Sequence, residues 1–230
     1  MTAVLVLEED AELAHSLTER FRAEGFTVEW AGPQDFVSMA ARGQFDCAVL
    51  CAGNSGSLVA DVLPVFRRQS TLPILVLIAS AEEAERIVAL EIGADDCVVK
   101  PCSPREVLAR VRAILRRSAR APNTHEVGGL SIVVAGPLTI WLQRREAEWI
   151  GHRLALTSTE FDVLALLARK AGQLVSKQEL SLQCLGRPLT RYDRSIDVHV
   201  SSIRQKLGPR PDGRAGIQTV RRRGYQLIGE

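Results

Sequence analysis

RYDRSIDVHVSSIRQKL, residues 191–207, carries apolar side chains at Ile196, Val200, Ile203 and Leu207. That spacing of i, i+4, i+7 and i+11 predicts an amphipathic helix with one narrow buried stripe. The opposite face holds Arg191, Arg194, Val198, Ser201, Ser202 and Gln205, flanked by His199 and Lys206 on one side and Asp197 and Arg204 on the other. Short and cationic side chains of this kind suit base edges and phosphates. An ordinary solvated face would read the same way by periodicity alone, so the next segment matters. IQTVRRRGYQL, residues 217–227, alternates like a strand, turns at the Arg-Gly pair and resumes with Tyr225 and Leu227. Three consecutive arginines on a hairpin beside a basic helix make a phosphate clamp.

Upstream, two more helices announce themselves. Thr157 with Glu160 and Ser176 with Glu179 have capping-box spacing, as Thr190 with Asp193 does for the third helix. Gly172 and Gly186 stop the first two. Before them, LSIVV (130–134), LTIWL (138–142) and AEWI (147–150) read as short antiparallel strands. Residues 128–230 are thus predicted to be an α+β winged helix-turn-helix domain that binds double-stranded DNA. Its candidate contacts are Arg191, Arg194, Ser195, Val198, His199, Ser201, Ser202, Arg204, Gln205, Thr219, Arg221, Arg222 and Arg223.

The first half follows another rule. VLVL (4–7), TVEW (27–30), CAVL (47–50), ILVLI (74–78) and CVV (97–99) alternate with helical stretches at 11–24, 33–43, 59–68, 82–92 and 104–117. Five strands and five helices in alternation predict an α/β doubly wound parallel five-stranded sheet over residues 1–117. RRSARAPNTHE, 116–126, loses apolar periodicity around Pro122, which places a linker over 118–127.

Charge divides along the same line. Residues 1–115 carry 10 Lys/Arg against 17 Asp/Glu, a net of −7, whereas residues 127–230 carry 16 against 9, a net of +7. A basic half points to a polyanionic partner. No run approaches the roughly 18 apolar residues of a membrane span, so a cytoplasmic protein without membrane contact is expected. Cysteines 47, 51, 97, 102 and 184 form no CxxC pair, so neither a disulfide framework nor a metal site is indicated. The strand ends show no Gly-rich phosphate loop and no Ser-His-Asp set. No enzymatic activity and no cofactor are expected.

DRSIDVHVSSIRQKLG, IQTVRRRGY and LTSTEFDVLALLARKAGQLVSKQEL resemble the effector domain of OmpR/PhoB-type response regulators, and GADDCVVKPCSPREVLARVRAILRR resembles the end of their receiver domain. LGRPLTRYDRSIDVHV is similar to the CpxR-like branch. The resemblance implies a pocket of two metal-binding acids, an acceptor aspartate, a hydroxyl and a lysine. Glu8 and Glu9 match the acids and Lys100 the lysine, but Cys51 stands at the acceptor and Ile78 at the hydroxyl. Cys97 stands at the strand 5 aromatic, Ala-Gly-Asn-Ser-Gly-Ser replaces a Met-Pro-x-x-x-Gly loop, and Arg222 stands where the wing usually has Gly. The implied reading is a degenerate receiver, and thus a phosphorylation-independent transcription regulator that engages RNA polymerase. A redox or small-ligand sensor acting through Cys51 is the alternative.

The resemblance also implies a homodimer through helix 4, strand 5 and helix 5 on paired half-sites. Arg86, Glu91, Asp95, Asp96, Glu106, Arg110 and Arg112 match its charged positions, with Ile87, Leu90 and Val107 supplying apolar contact. Arg86 with Glu106 and Asp96 with Arg110 are the expected pairs across the axis.

Overall fold

The computed structural model describes residues 2–51, 57–79, 82–119, 132–210 and 213–229. The chain divides into two compact units, Met1–Arg116 and Arg117–Glu230. In the first, parallel strands β1 (Ala3–Leu7), β2 (Thr27–Trp30), β3 (Cys47–Cys51), β4 (Ile74–Ile78) and β5 (Asp96–Val99) lie in the order β2-β1-β3-β4-β5. Helices α1 (Ala11–Ala23), α2 (Pro33–Ala41), α3 (Ser57–Gln69), α4 (Glu83–Glu91) and α5 (Pro104–Ala119) connect and follow them.

Every residue of β3 and β4 is buried, as unbroken apolar runs require of strands covered on both faces. Val4, Val6, Val49, Cys51, Leu75 and Leu77 pack against Leu17 and Phe21 of α1 and Val107, Val111 and Ile114 of α5. Their neighbours Leu5, Leu7, Leu50 and Val76 are equally buried and, by strand alternation, face the other layer. Phe36 of α2 stacks there on Phe66 of α3, ring centroids 5.6 Å apart. Asp10 caps α1, its Oδ1 accepting from the backbone N–H of Glu12 at 2.9 Å and of Leu13 at 3.1 Å. Helix α5 runs past residue 117 to Ala119, so the expected linker loses its first two residues to helix; its remainder lies outside the described residues.

The second unit opens with the antiparallel sheet β6 (Ile132–Ala135), β7 (Leu138–Trp141), β8 (Glu146–Trp149) and β9 (His152–Arg153). Then follow α6 (Ser158–Arg169), β10 (Val175–Ser176), α7 (Lys177–Leu180), a π-helical turn at Ser181–Leu185, α8 (Ser195–Leu207), β11 (Ile217–Val220) and β12 (Gly224–Leu227). The stripe Ile196, Val200, Ile203 and Leu207 is buried in one core with Leu164, Leu167, Ile217 and Leu227. The Thr157–Glu160 capping box is complete, and Ser176 Oγ accepts from the Glu179 N–H at 3.1 Å.

Three features differ from expectation. Strands β9 and β10 have two residues each, too few to leave a period in sequence. Helix α8 starts at Ser195 rather than 191, with Arg194 at its cap and no side-chain cap bond. The Thr190–Asp193 box does not form there. Asp193 instead accepts from the Ser195 N–H at 2.9 Å and pairs with Arg187, which holds 191–194 outside the helix. Strand β10 pairs with β12, converting the expected hairpin into a three-stranded sheet ordered β10-β12-β11. Gly224 permits that pairing: a Cβ there would run into the Val175 carbonyl oxygen and come within 2.8 Å of Ser176 Cα.

Candidate nucleic-acid interface and strand-end pocket

At the carboxyl edge of the parallel sheet, Cys51 ends β3 fully buried, Ile78 ends β4 at 3% exposure and Lys100 follows β5. The loop after β1 turns Glu8 inward. Its Oε1 accepts from the N–H groups of Glu9 at 2.9 Å and Asp10 at 3.0 Å, and its Oε2 accepts from Lys100 Nζ at 2.8 Å. The Glu8 side chain is 2% exposed, so this is a largely dry ion pair rather than a surface one. Burial first, and then the adjacent Glu8 carboxylate to which the thiol donates, push the Cys51 thiol well above its ordinary range, against the weaker pull of Lys100. A neutral S–H, not a thiolate, occupies the strand end.

A divalent cation does not fit this arrangement. Glu8 is already neutralised by Lys100, Glu9 is exposed, and among the described residues no three His, Cys, Asp or Glu side chains converge.

The residues expected at a dimer face are placed differently from one another. Asp95 is fully buried, its Oδ2 accepting from Arg67 Nη2 at 2.7 Å and from the Ile74 N–H at 2.9 Å. Asp96 accepts from Arg110 of its own chain at 3.1 Å, and Arg110 also reaches Glu106 one helical turn away at 3.4 Å. Arg112 points to Glu24, at 2.5 Å. These three acid–base contacts lie within one chain, between β5 and α5, along α5, and between α5 and the end of α1. Leu90 and Val107 belong to the interior. Ile87 and Arg86 are partly exposed, Glu91 is exposed, and Val88, which the sequence reading passed over, is 48% exposed.

In the second unit, α8 divides its polar side chains between protein and solvent. Glu160 of α6, 2% exposed, accepts from the Thr157 N–H at 2.7 Å, from Ser202 Oγ at 2.5 Å and from Lys206 Nζ at 2.5 Å. Asp197 pairs with Lys177 at 2.7 Å and accepts from the Tyr225 hydroxyl. Burial, then that hydrogen bond and the Asp197 charge, raise the Tyr225 hydroxyl well above the usual phenol range. Arg204 donates to the Ile217 carbonyl at 3.0 Å and to Thr219 Oγ1 at 2.8 Å, tying α8 to β11.

Three expected contacts are buried instead: Ser195 at 1%, Val198 at 6% and His199 at 1% exposure. Ser195 accepts from Arg187. His199 lies beside the four-residue stripe read from periodicity, whereas Val198 is buried on the opposite face of the helix. Arg191, Arg194, Ser201 and Gln205 are exposed, as are Arg221, Arg222 and Arg223 in the turn between β11 and β12. Arg222 adopts φ 61°, the left-handed region where Gly is usual. Tyr192 was not foreseen. It is 73% exposed with the Arg191 guanidinium 5.7 Å from its ring, and its only signal is an aromatic residue inside a charged loop. This unit thus exposes cations in the segment that leads into α8 and in the turn between β11 and β12, groups suited to a polyanion.

Comparison with known proteins agrees with both halves. Residues 4–112 match the response regulator receiver domain, and residues 151–227 match the C-terminal domain of transcriptional regulatory proteins. The chain is 38% identical over 230 residues to the transcriptional regulatory protein CpxR of Klebsiella pneumoniae, covering 99% of each chain. It is 34% identical over 231 residues to the sensory transduction protein RegX3 of Mycolicibacterium smegmatis, covering 100% of each. A solved structure of a RitR mutant shares the fold, with a TM-score of 0.75 at 21% identity over the whole of both chains. With both domains matched and full-length relatives above 30% identity, the chain belongs to the OmpR/PhoB family of response regulators, DNA-binding transcription regulators built from a receiver and a winged helix.

Proposed function

We propose that this regulator works without aspartyl phosphorylation, its receiver being degenerate at the acceptor position. The observation that carries the reading is the strand-end pocket. A neutral buried thiol stands where a carboxylate nucleophile would be needed, and the lysine that would hold the product is already paired with Glu8. Treatment with acetyl phosphate and Mg²⁺, read by intact mass, should leave the protein unmodified. A stable phosphoryl adduct on the receiver would overturn the proposal.

The regulator acts in the cytoplasm on double-stranded DNA and with RNA polymerase, as a homodimer through α4, β5 and α5 on paired half-sites. Arg86, Ile87, Val88, Glu91 and Glu106 carry the exposed part of that surface. Sedimentation of untreated protein at micromolar concentration should show the dimer, and monomer throughout would refute this part. Thiol sensing at Cys51 is disfavoured because its burial and raised pKa suppress the thiolate that oxidation requires. Small-ligand sensing has one feature in its favour, a cavity of about 490 Å³ lined by Leu13, Ser16, Lys100 and Cys102 among others. Among the described residues no helix is long and apolar enough to cross a membrane.

A further inference from the structure

We infer that Gln205 is a base-reading residue of the recognition helix, and that the base it selects is adenine. The inference rests on α8 being the helix that enters the major groove, and it follows from what the other polar residues of that helix are doing. Ser202 and Lys206 are held by Glu160, Arg204 by the Ile217 carbonyl and Thr219, Asp197 by Lys177 and Tyr225, and Ser195 by Arg187. Redirecting any of them toward DNA would strand a partner inside the domain. Gln205 and Ser201 are exposed on the helix.

Their placement is as telling as their exposure. At 100° per residue, Ser201 and Gln205 fall about 40° apart, opposite the core stripe Ile196, Val200, Ile203 and Leu207, and Arg194 caps the start of the helix. From Arg194 to Gln205 the helix rises about 16 Å. Arg194 and Gln205 therefore address different base pairs. A primary amide offers one donor and one acceptor side by side, which matches adenine N7 and N6 in the major groove and no other single base as well. A serine hydroxyl donates or accepts and discriminates poorly, so Ser201 adds contact without choosing a base. Arg194 at the cap supplies either a guanine or a phosphate contact. Each half-site should accordingly contain one strongly preferred adenine whose identity depends on Gln205 alone.

Selection of duplexes from a randomised library by the full-length protein tests this, repeated with Gln205→Ala, Gln205→Arg and Arg194→Ala. The wild type should enrich adenine at a fixed position. Gln205→Ala should abolish the preference there and weaken binding to the selected duplex about 5- to 150-fold. Gln205→Arg should move the preference at that position to guanine and leave the others unchanged. Thermal unfolding of all variants reports that the domain remains folded, as an exposed position allows. An adenine preference that persists in both Gln205 variants while Arg194→Ala weakens binding overturns the inference and leaves the reading helix standing. Wild-type preferences in all three variants, or no enrichment by the wild type, overturn the assignment of α8 as well.

Discussion

Glu160→Gln tests how the recognition helix is held. Glutamine is an acceptable third-position partner in a capping box, so the bond from the Thr157 N–H can survive. What disappears is the charge that Lys206 Nζ and Ser202 Oγ reach at 2.5 Å each, on a side chain only 2% exposed. Hydrogen bonds to a charged group contribute about 1.5–3 kcal/mol and neutral ones about 0.5–1.5 kcal/mol, a difference of about 1 kcal/mol per bond. With Lys206 31% exposed, its share is discounted for solvent screening, leaving about 1.5 kcal/mol for the two bonds together. For a unit of this size that shifts the melting temperature by roughly 8 °C. Calorimetry of the full-length protein should show one transition lowered by that amount, with the receiver transition unmoved. Specific DNA affinity should fall with it, because α8 is then anchored to α6 by packing and weaker neutral hydrogen bonds. A shift below about 2 °C would show that these two bonds hold nothing, and the account of Glu160 as the anchor would be wrong.

Gly224→Ala should destabilise the winged-helix unit by about 1–3 kcal/mol, since the new methyl meets the Val175 carbonyl and β10 must move; a melting temperature equal to wild type refutes it. Asp95→Ala should lower receiver stability by about 3–5 kcal/mol, because it leaves the Arg67 guanidinium, 13% exposed, without its carboxylate. That loss should be independent of protein concentration, whereas a concentration-dependent loss would mark Asp95 as a dimer contact after all. Arg221→Ala and Arg223→Ala should weaken random and specific DNA alike and reduce the salt slope by about one unit per lost phosphate contact, an unchanged slope counting against the turn as a clamp. Cys51 in the folded protein should resist iodoacetamide at pH 8 and react after denaturation, because its thiol is raised and buried; rapid native labelling would restore the redox reading.

Periodicity is a local property, and it carried most of the architecture. The unbroken runs CAVL and ILVLI require a sheet covered on both faces, and the alternation with helices requires that sheet to be parallel. The stripe from Ile196 to Leu207 located the core side of α8, and the arginine run 221–223 located the exposed turn. Tertiary structure alone decided which polar groups are already occupied. Nothing adjacent in sequence says that Glu160 takes Ser202 and Lys206 from 42 and 46 residues away, or that Arg67 takes Asp95 from 28. Nor does sequence say that β5 and α5 of one chain bring Asp96 and Arg110, 14 residues apart, within hydrogen-bond distance. A side chain's apolar or cationic character is written in its identity, but its availability depends on what the fold places within 3 Å of it.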